Sequence, residues 1–226
     1  MAPGFVYLSA VAPEILQDVR NAGYHNFVGR PLAGYDAAEC VLTRRAAEAL
    51  VKAQRELAGA GLTLRVYDCY HPRSTVADVS SWGKNSDAAM QAEFYPNVAK
   101  AQLAARGYLA SLPRYTRGNT VDATVERLPA PVGRRYVPGA PLRSCAAPFL
   151  DRFHDGSIDM GTEVYCMDPL SRTDAFAGNV ADSHRALLRG VMERHGFRPD
   201  PEAWWRFTLA VEPDPNASFD FPIEPR

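Results

Sequence analysis

The sequence lacks an excess of either charge. Over 226 residues, 25 Lys and Arg stand against 26 Asp and Glu, a formal net of −1. Nucleic-acid binders work largely by neutralising phosphates, so this balance excludes an electrostatic footprint for DNA or RNA. No apolar run approaches the ~18–20 residues that a membrane-spanning helix needs. The opening Met1-Ala-Pro-Gly-Phe-Val-Tyr has no basic stretch ahead of a long apolar one, so no signal peptide is expected and the protein is placed in the cytoplasm. The four cysteines (Cys40, Cys69, Cys145 and Cys166) show neither C-x-x-C nor zinc-knuckle spacing. In a cytosolic chain they are expected to be reduced, mostly buried thiols. Cys145 and Cys166 would pair only in an oxidising compartment. Internal repeats and low-complexity tracts are also missing.

What is present suits one folded unit. Hydrophobic residues make up 46% and charged residues 23%, enough to bury a core and exclude a disordered or fibrous chain. The Pro- and Gly-rich stretch from Leu128 to Pro141 is closely flanked by patterned segments, so it reads as a surface loop rather than a linker. A single domain over 1–226 is expected.

Ala46, Leu50, Ala53 and Leu57 recur every three or four residues, which predicts an amphipathic helix from Thr43 to Gly59. Leu62 to Asp68 alternates as a half-buried strand does. Pro72 opens a short helix to about Trp82. Asn119 to Val125 is a strand, Ala181 to His195 a second long helix, and Ala203 to Val211 a closing strand rich in aromatics. Helices and strands interleave without a regular βαβ rhythm, which predicts an α+β fold with a central antiparallel sheet flanked by helices.

Several segments together resemble the VanX-type D-alanyl-D-alanine dipeptidases. They are Gly4-Phe-Val-Tyr-Leu, Asn26-Phe-Val-Gly-Arg-Pro-Leu-Ala-Gly-Tyr-Asp, Tyr67-Asp-Cys-Tyr-His-Pro, Phe94-Tyr-Pro-Asn-Val, Arg117-Gly-Asn-Thr-Val-Asp, Asp159-Met-Gly, Trp204-Trp205 and Phe219-Asp-Phe-Pro-Ile. They run in order along nearly the whole chain. The resemblance implies a small pocket on the sheet with a mononuclear zinc ion held by two His and one Asp. It also implies a Glu general base and an Arg that stabilises the tetrahedral intermediate. The family patterns are S-x-H-x(6)-D, E-x-x-H and Y-R-P.

At those positions this sequence keeps Asp122 and has Tyr115, Ala203, Arg206 and His71 in place of the first His, the Glu, the last His and the Arg. A neutral phenol is a poor zinc ligand and guanidinium has no lone pair to offer. No metal and no cofactor are expected in the pocket, and no hydrolysis of D-Ala-D-Ala. A displaced metal site on His71 and Asp122 with Glu163 or Glu202 is a lesser alternative.

The replacements carry chemistry of their own. Arg206 can pair with Asp122 or clamp a substrate carboxylate. His71 titrates near neutrality, with Asp68 three residues before it to orient the ring. Tyr115 can donate a proton or simply fill space. His71, Tyr115 and Arg206 are therefore the candidate catalytic residues. Asp68, Asp122, Asp159, Glu163 and Arg114 are the candidate substrate-binding ones, and Arg117 is expected to be structural.

Trp204 and Trp205 are expected to pack, and His25, His154, His184 and His195 to be surface or packing residues. A Cys69–His71 nucleophile pair is a minor possibility. The readings are a metal-independent enzyme working by acid/base chemistry on an amino-acid- or dipeptide-like small molecule, an inactive relative that binds a peptide-like ligand or partner, and a zinc dipeptidase. The enzyme's reaction would be cyclisation, elimination, isomerisation or condensation. The Ala-, Arg-, Pro- and Gly-leaning composition suits natural-product biosynthesis. A homo-oligomer is an open expectation; nucleic-acid and membrane partners are not expected.

Overall fold

Thr43 ends one strand and caps the helix that follows, its hydroxyl accepting from the Ala46 amide at 3.3 Å. The computed structural model describes residues 1–109 and 112–226. Its strands are β1 (Phe5–Tyr7), β2 (Leu16–Gln17), β3 (Val41–Thr43), β4 (Leu62–Asp68), β5 (Thr120–Arg127), β6 (Phe197–Asp200) and β7 (Ala203–Leu209). The helices are α1 (Leu8–Val11), α2 (Arg44–Gly59), α3 (Arg73–Lys84), α4 (Gln91–Phe94), α5 (Leu112–Tyr115) and α6 (Asn179–Arg194). This is the α+β class that the pattern predicts.

The main sheet runs β2-β4-β5-β7-β6 and a small antiparallel pair joins β1 to β3. The sheet is mixed rather than wholly antiparallel, because two-residue β2 lies parallel to β4. So short a strand carries no readable alternation. Helix α2 packs on β4 through Ala46, Leu50, Ala53 and Leu57, all buried as their spacing requires. Its buried Gln54 accepts from the Leu64 amide at 2.8 Å and so satisfies the strand where it meets the helix. Helix α6 lays Leu188, Val191 and Met192 against α2 and β6, while Leu187 points outward.

All four cysteines are paired, Cys40 with Cys69 and Cys145 with Cys166. This corrects the expectation of reduced thiols. Such bonds are commonest in oxidising surroundings, so the cysteines lend the cytoplasmic placement no support. It also removes Cys69 as a nucleophile. No helix among the described residues is long and apolar enough to cross a membrane.

Candidate active site

Three strands bring three ionisable side chains into one row. Asp122 on β5 lies opposite Asp68 on β4 and opposite Arg206 on β7. Directly opposed residues share a face, so all three project to the same side of the sheet. A register shift between Val66 and Asp68 makes the row possible. With regular pairing from Val66 and Ala123, Tyr67 would oppose Asp122 and Asp68 would lie one step beyond it. The bulge turns Asp68 inward instead.

Tyr115, the last residue of α5, comes down onto this row. Its hydroxyl donates to Asp122 Oδ1 at 2.5 Å and accepts from Arg206 Nε at 2.6 Å. The guanidinium lies 3.6 Å from Asp122 and 3.7 Å from Asp200, and Arg114 reaches Asp200 at 2.6 Å. Burial drives the Tyr115 phenol well above its ordinary range despite the neighbouring Arg206, so Tyr115 stays neutral. Burial also raises Asp122 to about 7, the attraction of Arg206 only partly offsetting it. Arg206 remains charged: its carboxylate and phenol partners outweigh the cost of burial.

Beside this cluster lies a cavity of about 140 Å³, walled by Tyr115, Asp122, Arg206, Arg114, Asp68, Tyr165 and Trp205 among others. Two buried donors on that wall, the Tyr165 hydroxyl and Trp205 Nε1, have no hydrogen-bond partner among the described residues. Tyr165 holds φ at +63°, a left-handed conformation that a bulky residue adopts only when its surroundings force it. A buried donor left unpaired costs free energy, so these two are poised for acceptor atoms on a ligand.

The expected site residues divide. Tyr115, Arg206, Asp122, Asp68 and Arg114 come together as read. Asp68 is no free binder, however. It accepts from Tyr35 at 2.5 Å, Asn21 at 2.8 Å and the Cys69 amide at 2.9 Å, with His71 Nδ1 at 3.3 Å. His71 is wholly buried and absent from the cavity wall; its ring stacks behind Tyr115, centroids 4.6 Å apart. It meets the cluster through Tyr115 and Asp68.

Asp159 and Glu163 are elsewhere, in the long segment between β5 and α6. Asp159 is held by Arg152 at 2.5 Å and by the Gly161 amide at 2.8 Å, and Glu163 stands beside His25 and Glu93. The displaced site through Glu163 is therefore not assembled, while Glu202, on the cavity wall, is held by Arg172 at 2.6 Å. Arg117 is structural as expected, bound to Glu212 at 2.6 and 3.0 Å. Trp204 packs as expected, but Trp205 faces the cavity. Sequence reading missed Asp200 and Tyr165, which carry no motif, and took Trp205 of the Trp204-Trp205 pair for packing alone.

A carboxylate row on a bulged sheet, closed by a short helix over a small cavity, is the setting of a small-molecule enzyme site. A family model described as D-Ala-D-Ala dipeptidase matches residues 1–130, and the chain belongs to that family. It is 30% identical over 229 residues to a D-alanyl-D-alanine dipeptidase of Enterococcus faecium, covering 99% of this chain and 100% of the relative. A Streptomyces coelicolor protein of the same name is 32% identical over 225 residues, again covering 99% and 100%.

The resemblance places a zinc ion at this cluster, and the side chains present do not fit one. Arg206 offers no lone pair, Tyr115 is held as a neutral phenol whose O–H donates to Asp122, and Ala203 offers nothing. Of the positions the resemblance gives to the metal and its base, Asp122 alone keeps an ordinary donor, where zinc needs about three protein ligands.

Proposed function

We propose that this cavity takes an amino-acid- or dipeptide-like molecule and acts on it by proton transfer without a metal ion. The observation that carries the reading is the Tyr115 hydroxyl held between Asp122 and Arg206 at 2.5 and 2.6 Å. A proton on Asp122 can pass to the phenol oxygen as the phenol's own proton passes to substrate. The reverse transfer removes a proton, and Tyr115 never carries a charge that its burial opposes. Asp122, near 7, matches the range in which acid/base groups work best. Arg206 and Arg114 supply positive charge for a substrate carboxylate, and Tyr165 and Trp205 supply neutral donors. His71 is a positioning residue here, bracing the Tyr115 ring.

The relatives' name puts D,D-dipeptides and their amino acids first among candidate ligands. A second reading, a zinc dipeptidase, draws its support from identity near 30% over the full length of proteins so named. A thermal-shift panel of D- and L-amino acids and D,D- and L,D-dipeptides in the presence of EDTA separates the two. The proposal expects a midpoint rise with at least one zwitterion, lost in Arg206→Gln. A rise that appears only after zinc is restored overturns it. A silent panel sinks it too, and leaves the partner-binding relative.

A further inference from the structure

Away from the cavity, the loop after β2, helix α4 and the segment before α6 each send one buried side chain to a common point. These are His25, Glu93 and Glu163, whose potential ligand atoms all lie within 4.8 Å of one another. None of the three lines the substrate cavity. The geometry points to a second site: His25, Glu93 and Glu163 bind one divalent transition-metal ion, zinc in the first instance, that braces the cavity wall.

Three features support this beyond proximity. The first is an acceptor without a donor. Glu163 is 7% exposed; its Oε1 accepts from the Phe153 amide at 2.8 Å, while Oε2 has no partner among the described residues. Unpaired buried carboxylate oxygens are costly unless a cation or donor reaches them.

The second is the charge around the trio. Arg20 is the cation whose field reaches both His25 and Glu163, and it is already paired with Asp18 at 3.2 Å and Asp155 at 2.7 Å. Burial and the Glu93 carboxylate raise Glu163 to about 8, so a metal ion that binds there displaces the carboxyl proton. Burial and Arg20 lower His25, keeping the neutral imidazole that a metal requires.

The third is a rigid frame. The Cys145 amide donates to the Glu93 carbonyl and the Glu163 amide to the Cys145 carbonyl, both at 3.0 Å, so one residue ties the two acidic strands of chain together. His25 stacks on Tyr136 with centroids 4.3 Å apart; its Nε2 meets Glu93 Oε1 at 2.5 Å, a hydrogen bond that an ion bound between them replaces. The Asn26 side chain braces the same loop by bonding Gly23 and Arg30 carbonyls, each at 2.9 Å. One imidazole and two carboxylates are a donor set suited to zinc and its neighbours, with an open position for water.

The ion has a structural consequence. Glu163 is followed by Val164 and then by Tyr165, Cys166 and Met167 of the cavity wall, and the Met167 amide bonds the Phe94 carbonyl at 2.7 Å. Fixing Glu93 and Glu163 to one centre fixes that wall.

The test uses the full chain with its disulfides intact, stripped with EDTA, dialysed, and titrated with Zn²⁺ and, separately, Co²⁺. The wild type and Asp122→Asn are expected to bind one ion with equal affinity and to melt higher with it. Glu163→Gln keeps the shape but loses a ligand, and is expected to bind more than about 100-fold more weakly, since even outer partners of metal ligands cost ~10–100-fold. X-ray absorption on the zinc-loaded wild type needs no variant: one imidazole among oxygen donors, with no sulfur, is expected.

No binding by the wild type at millimolar metal, undiminished binding by Glu163→Gln, or more than one imidazole in the spectrum overturns the proposal. Binding lost in Asp122→Asn but kept in Glu163→Gln also overturns it, and moves the ion to the cavity against the metal-free reading.

Discussion

Tyr115 is the residue on which the cavity turns, because it separates two buried charges that would otherwise meet. Removing its hydroxyl leaves Asp122 and Arg206 3.6 Å apart without their bridge. Tyr115→Phe is expected to keep ligand affinity within a few-fold while turnover on the substrate found by screening falls about 100-fold or more, the usual scale for a lost acid/base group. Steady-state kinetics that leave turnover unchanged would remove Tyr115 from the chemistry.

Two buried aspartates give opposite pH signatures. Asp122 binds its proton more tightly folded (about 7) than in an unfolded chain (about 3.9), so its part of the stability falls as pH rises from about 4 to 7. For Asp155, burial is outweighed by Arg20 and by bonds from Tyr67 and Ser157, which hold it at about 2. Its contribution is complete above about pH 4 and disappears as pH falls toward 2. Urea melts across pH should show the neutral-side decline vanish in Asp122→Asn and the acid-side loss vanish in Asp155→Asn. Unaltered profiles in both variants would contradict these assignments.

At the scale of elements, legibility followed length. Helices α2 and α6 and strands β4, β5 and β7 have enough residues for periodicity to declare itself, and the sequence placed each within a few residues. The row Asp68–Asp122–Arg206 was half visible: the residues could be named, but the bulge that aligns them depends on pairing between strands far apart in sequence. The long stretch before α6 has little regular structure, so nothing local told Glu163 and Asp159 from cavity residues. His71 was read into the site because it stands at the Arg position of the Y-R-P pattern and titrates near neutrality, whereas the fold turns its ring behind Tyr115.

The cysteine pairs escaped for the same reason, their partners being 29 and 21 residues apart. Cys40–Cys69 ties the approach to β3 to the end of β4, and Cys145–Cys166 ties the acidic frame to the cavity wall. Thiol titration of the denatured, unreduced protein should find none free, rising to four after reduction. Loops of these lengths suggest a stability loss of about 3 kcal/mol per bond on reduction. Free thiols before reduction would restore the reducing-compartment reading.

The whole molecule belongs to the D-Ala-D-Ala dipeptidase family, and the proposal concerns what its cavity holds. The D-Ala-D-Ala dipeptidase relatives align along nearly the whole chain, and the sheet, the short helix above it and Asp122 remain where the resemblance puts them. The Tyr115 phenol and the Arg206 guanidinium stand beside that carboxylate, and the His71 imidazole lies behind Tyr115. The His25–Glu93–Glu163 trio draws on three distant segments, so only the folded chain brings it into view. The most direct measurement is hydrolysis of D-Ala-D-Ala by the EDTA-stripped protein before and after zinc is restored, with Asp122→Asn alongside. Absence of hydrolysis under both conditions is the outcome predicted. Zinc-dependent release of D-alanine, abolished in Asp122→Asn, would contradict the metal-free cavity outright.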